Sequence, residues 1–222
     1  MGGVERFTDS LASELVRQGH KVVVVTNDTH HVGVHELSSS GFEVFRLPCW
    51  NVLGGRYPIP IHNADCRFVM RELDARQFDG VLVNTRFYLH SLLGVRIAKR
   101  HGLRAVVLDH GSAYLTLGPP VMDWMIARYE DLVTGYLRRR PVDFYGISHK
   151  SVEWLAHFGI KARGVIGNSI DAAAYRVQAS NRSFKSELNI GDELMLAFTG
   201  RFIPEKGIAT LVDMMRRLQG ER

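Results

Sequence analysis

No stretch of this 222-residue chain is long and apolar enough to span a bilayer, which takes about 20 residues, so no transmembrane helix is expected. Where a signal peptide would need an apolar run, the chain has Glu5, Arg6 and Asp9. Cysteine is scarce. Cys49 and Cys66 form no metal-ligand spacing and no dithiol motif, which leaves two scattered thiols of an intracellular protein as the plain reading. Internal repeats and low-complexity tracts are absent. So is a Gly-x-Gly-x-x-Gly turn after a strand with an acid after the next strand, which sets aside a dinucleotide oxidoreductase.

What is present is an ordinary globular composition, 45% apolar and 23% charged, in a chain long enough for one large domain or two small ones. The formal charge of +5 and pI near 9.4 suit an anionic partner. Net charge alone does not choose among nucleotide phosphates, anionic lipid and nucleic acid.

Short apolar runs alternate with helical patterns. Val4, Phe7, Leu11, Leu15 and Val16 recur at helical spacing, and Gly19 is placed to stop that helix. KVVVVT, residues 21–26, is apolar throughout and reads as a strand buried on both faces of a parallel sheet. FEVFRL, DGVLVN, AVVLDH, DFYGIS, ARGVIG and LMLAFTG read as further strands, with helices at 64–76 and 88–101 among those between them. Strand and helix in alternation predict a doubly wound α/β fold, whose ligands bind beyond the carboxyl ends of the strands. Residues 47–63, with three prolines and a glycine pair, read as a long loop, and the polar stretch 172–190 as a linker.

The residues after the strands carry the chemistry. Gly2 and Gly3 open a helix whose N–H groups and positive end could meet a phosphate or sugar, or they are a helix cap and nothing more. His110 and Gly111 follow the run AVVLD. The histidine could donate to a sugar hydroxyl or anionic oxygen or move a proton, or be a structural histidine bonded to the backbone. Asn84, Thr85 and Arg86 also follow a strand and invite the same two readings, with turn chemistry favoured for Asn84. The sharpest stretch is LAFTGRFIPEKGIATLV, residues 196–212. There Gly200, Arg201 and Lys206 would sit between a strand end and a helix start, an arrangement suited to a diphosphate.

Taken in order, these stretches resemble glycosyltransferase family 4. GGVERFTDSLASELVRQGHKVVVVT is similar to the family's opening, ISHKSVEWL with VIGNSID to its Ser-led helix and interdomain signature, and TGRFIPEKG to the motif opening its second domain. The resemblance implies a GT-B fold: a Rossmann-like parallel sheet with helices on both faces at 1–171, the linker 172–190, and the first strand and helix of a second Rossmann-like domain at 191–222. It implies retaining transfer of a sugar from a UDP- or GDP-sugar to a glycan, lipid-linked or small-molecule acceptor. His110, Arg201 and Lys206 would be catalytic. Gly2, Gly3, Gly200, Arg201 and Lys206 would bind donor, and Asn84, Arg86, His110 and Gly111 acceptor. No metal, no cofactor and no nucleic-acid partner are implied, and the location is cytoplasmic or at the cytoplasmic face of a membrane. Ser169 and Gly167 depart from the family's Pro-Asn-Gly-x-Asp hinge. The family's first strand precedes the glycines and its second domain continues past residue 222, so the 222 residues alone are expected to be inactive. A radiolabelled sugar-nucleotide assay checks that expectation. The alternative is a non-catalytic domain that binds acceptor or a partner chain. Residues 121–141 form either a helix able to rest on an anionic bilayer or a core-facing helix with a basic last turn.

Overall fold

The computed structural model describes residues 2–52, 57–116, 118–200, 202 and 206–220. Two compact units divide the chain at Ile170 and Asp171. In the first, helix α1 (Gly3–Arg17) leads to strands β1 (Val23–Asn27), β2 (His35–Leu37) and β3 (Glu43–Leu47). These form a sheet of order β1-β3-β2, with β1 parallel and β2 antiparallel to β3. Gly19, at φ +89°, ends α1: its N–H donates to Val16 O and that of His20 to Leu15 O. A side chain resists that left-handed conformation, whereas glycine adopts it freely. Val16 on α1 then packs, as do Val22 and Val24, against the cluster of Ala12, Phe42 and Val44.

The expectation that residues 21–26 are buried on both faces is not met: Val22 to Val25 are half-buried and Thr26 is exposed. The reason is position. Among the described residues β1 is an edge of its sheet, hydrogen-bonded to β3 alone, with Val23 and Val25 against the core of α2 and α3 and Val24 against that of α1.

Residues 47–63 are not the loop expected. They form a hairpin of β4 (Cys49–Val52) and β5 (Tyr57–Pro60), paired Cys49 to Pro60 through Val52 to Tyr57. Both prolines of β5 lie in a two-stranded ribbon, where an edge without a donor is tolerated. Helix α2 (Ala64–Asp74) starts at Asn63, whose side chain accepts from Cys66 N–H at 2.9 Å.

The second sheet of this unit holds the predicted α/β pattern: β6 (Leu82–Asn84), β7 (Ala105–Asp109), β8 (Val142–Gly146) and β9 (Gly164–Val165) lie side by side, all parallel. Helices α3 (Leu89–Arg100), α4 (Pro120–Arg138) and α5 (His149–His157) connect them, and helices cover both sides of the sheet. Val83, Val95, Ala105, Val107, Leu137, Phe144 and Leu155 make its core. Phe45, Leu47, Val69, Leu73 and Ile97 make a second core, between β3, α2 and α3.

The second unit carries α6 (Ala172–Gln178) and α7 (Phe184–Glu187) where a linker was expected, then α8 (Ile208–Gly220). The strand read at residues 194–200 is not formed. That stretch is irregular and Leu194 is 83% exposed. A buried parallel strand needs strands to bond to, and no strand exists among the described residues of this unit.

One polar contact ties the first sheet to α3. Asn27, at the end of β1, donates from Nδ2 to His90 Nδ1 at 3.0 Å, and His90 stacks on Tyr88. Burial lowers the His90 pKa to about 4, so the ring is neutral. Because the folded value lies below the ordinary 6.5, the stability it gives is present above pH 6.5 and is lost as pH falls through 4. That loss is about 3 kcal/mol. Urea melts from pH 7 to pH 4 should show the wild type losing that much more than His90→Gln; parallel pH curves would contradict it.

Candidate functional site

The parallel strands β6 and β7 bring together residues far apart in sequence. Asn84 ends β6, pairs in register with Leu108, and lies opposite the chain that leaves β7 at His110. His110 Nε2 and Asn84 Oδ1 are 2.9 Å apart. Asn84 Nδ2 donates to Thr8 Oγ1 at 3.0 Å, and the Thr8 hydroxyl donates to Val4 O at 2.8 Å, both on α1. The edge of Phe7 meets the His110 ring at 5.2 Å.

This chain of bonds has one sense. The Thr8 hydroxyl spends its proton on Val4, so it accepts from the Asn84 amide. Asn84 Oδ1 then accepts from His110 Nε2–H, which leaves Nδ1 of the neutral ring as an acceptor. Burial lowers the His110 pKa from its ordinary value, which favours that neutral form. Nδ1 has no hydrogen-bond partner among the described residues.

The start of α1 is part of the same place. Gly2 caps the helix in an extended conformation with no side-chain cap, so the first N–H groups are left for another acceptor. A Cβ on Gly2 would lie 2.5 Å from Glu5 Oε2, whereas one on Gly3 would meet nothing within 4 Å. Gly3 is open space.

Arg86 is placed otherwise than the acceptor role predicted from sequence. It is wholly buried, and its guanidinium is held by two carboxylates. Nη1 bonds Asp109 Oδ1 and Oδ2 at 2.8 and 3.0 Å, and Nη2 bonds Glu130 Oε2 at 2.8 Å. The other Glu130 oxygen accepts from Leu115 N–H. The ring of Phe158 lies 4.4 Å from the guanidinium carbon. Burial raises the pKa of both Asp109 and Glu130, against the pull of Arg86. The direction follows from desolvation of two acids around one cation.

Thr85 separates the two roles. Its φ of +66° is a left-handed conformation that a β-branched residue rarely takes, held by Thr85 N–H donating to Leu108 O. Asn84 on one side of it faces Thr8 and His110, and Arg86 on the other enters the core. Gly111 gives its backbone N–H to Asp109, so it shapes the turn after His110.

In the second unit Gly200 follows the irregular stretch, and Lys206 is exposed just before α8, ahead of Gly207 at φ +72°. Arg201 lies outside the described residues. Thr8 and Phe7 are the site residues that sequence reasoning missed. Their signal was helical phase, one turn after the glycines.

Two outcomes follow from this geometry. Arg86→Met leaves two buried carboxylates without a counter-charge and should lower unfolding free energy by about 3–5 kcal/mol at neutral pH. The deficit should shrink in acid as the carboxyls protonate; a deficit independent of pH would rule out uncompensated charge as its cause. For the relay, ¹⁵N NMR should find His110 as the Nε2–H tautomer in the wild type and as a tautomer mixture in Thr8→Val. An Nδ1–H tautomer in the wild type would reverse the assigned sense.

The sequence pattern of Glycosyltransferase Family 4 matches residues 1–174. An uncharacterized glycosyltransferase of Methanocaldococcus jannaschii is 22% identical over 219 residues, covering 96% of this chain and 55% of that protein. The chain thus spans about half the length of the curated relative it matches.

Proposed function

The chain belongs to glycosyltransferase family 4, and from that premise we propose that it supplies the acceptor side of a retaining hexosyltransferase using a UDP- or GDP-sugar. The observation that carries the reading is the relay from Val4 through Thr8 and Asn84 to His110, set beside the open start of α1. A neutral imidazole with its Nδ1 lone pair unused can accept a hydroxyl proton of the sugar at the reacting centre. The N–H groups at Gly3 and Val4 can meet a phosphate or hydroxyl oxygen there.

The donor diphosphate falls to Arg201 and Lys206, with Gly200 letting the backbone approach. Cations at a departing diphosphate lower the barrier because they act most strongly once the leaving group bears its full charge. Asn84 and Gly111 have positioning roles in this scheme, the first by orienting His110 and the second by shaping its turn. Arg86 acts one step further back, through Asp109. The acceptor is a glycan, a lipid-linked sugar or a small molecule. Both cysteines are buried free thiols, which suits a reducing cytoplasm.

The test is a screen of radiolabelled UDP- and GDP-hexoses with the native gene product, and NMR of the product's anomeric centre. Transfer with the donor's configuration kept is expected, and His110→Ala should reduce kcat by about 10²-fold or more. Inverted product would remove the retaining assignment. Failure to bind or consume any sugar nucleotide would remove the transferase reading itself.

A further inference from the structure

We infer that the outer face of α4 docks on an anionic lipid surface. Helix α4 buries Glu130, Val133, Thr134 and Leu137 against the sheet. Its opposite side presents Val121, Met125, Leu132 and Tyr136 at spacings of four, seven and four residues, with Trp124 beside them, all exposed. Leu132 is 75% and Trp124 64% accessible. At helical phase Arg128 and Arg139 fall within the same stripe. An apolar stripe this long on one helix is not the ordinary scatter of single exposed apolar residues.

The charges say what covers it. Every acid of α4 has a partner, and among the described residues only Asp131 reaches a residue of the stripe, Arg128. Glu130 is sealed against Arg86, Asp123 accepts from Gly118 N–H, and Asp131 is held by the Tyr114 hydroxyl and Arg128. The cations are not cancelled to the same degree. Among the described residues Arg138 bonds the Phe158 carbonyl and no carboxylate, Arg139 has no carboxylate partner, and Arg140 lies over the Tyr136 ring at 4.2 Å. The result is a helix with Trp, Leu, Met and Val facing out among arginines. That chemistry fits a headgroup layer, with the apolar side chains entering the acyl boundary.

Next to the stripe is an open cleft of about 490 Å³ lined by Arg128, Arg138, His157 and Tyr114. It is wide enough for a phosphate headgroup, and two arginines against the single Asp131 keep it positive. No helix among the described residues is long and apolar enough to cross a membrane, so the contact is one of lying on the surface. Residues 111–119 run from His110 to the start of α4. On the transferase reading, a surface-bound α4 therefore favours a lipid-linked acceptor.

Co-sedimentation of the 222-residue chain with phosphatidylcholine vesicles, with and without phosphatidylglycerol, tests the surface without any sugar present. Binding is expected to the anionic vesicles only, and to weaken as salt rises. Trp124→Glu with Leu132→Glu should weaken it about tenfold or more. Arg138→Glu with Arg139→Glu should weaken it by about fivefold per charge. Leu37→Glu, at an exposed residue of β2, should bind as wild type, and unchanged melting curves would show that the α4 variants fold. No co-sedimentation at low salt, or equal binding by the α4 variants, overturns the proposal. So does a dimer in sedimentation velocity that these substitutions split in a chain that ignores vesicles, since the face would then meet a second copy. None of these outcomes bears on sugar transfer.

Discussion

Arg86 is the constraint on which the first unit turns. A guanidinium at zero exposure is stable only where its charge is met, and here Asp109 and Glu130 meet it through Nη1 and Nη2, while Nε is buried without a partner among the described residues. Those partners come from different elements: Arg86 from the turn after β6, Asp109 from the last position of β7, Glu130 from the middle of α4. Phe158, after α5, closes over the guanidinium face. One side chain therefore fixes the carboxyl ends of two strands and the seating of two helices. Breaking such a pair costs far more than never having made it, because the survivor is left charged and dry. This makes the triad a device for uniqueness of structure at least as much as for stability.

The candidate site inherits its geometry from that device. His110 is the residue after Asp109, and Asn84 is two before Arg86. With Asp109 held from below, the chain leaving β7 has one course, and Thr85 is forced into a conformation it would not otherwise choose. Strain of this kind persists only where the surroundings over-determine it. Asn84 and His110 can then meet at 2.9 Å although they lie 26 residues apart.

Strand-helix alternation was legible in the sequence because it is written in local periodicity, and β6 through α5 follow it closely. The placement of candidate residues at strand ends was legible for the same reason. Which way each side chain points was not. Asn84 and Arg86 sit two apart after one strand, and only the left-handed Thr85 sends them to different partners. Thr8 carried no mark of its own, since an isolated threonine in a helix usually signals nothing. KVVVVT and LMLAFTG are both mostly apolar, yet one is an edge strand and the other is irregular. An apolar run states a need for neighbours and cannot supply them. The hairpin in residues 47–63 was hidden by prolines that would exclude a central strand but not a ribbon edge.

The charge of the triad bears on the state of His110. Two carboxylates around one guanidinium leave a net negative charge if both ionise, and a negative charge near an imidazole favours protonation. Desolvation opposes it, and for His110 desolvation prevails. Arg86 bonds both carboxylates, Nη1 reaching the two oxygens of Asp109 and Nη2 one oxygen of Glu130, whose other oxygen accepts from Leu115 N–H. Both acids have raised pKa values, because burial disfavours their charged forms. The neutral ring with an open Nδ1 is thus a property of the packed core beneath it. A histidine on an exposed loop would lack the burial that lowers its pKa.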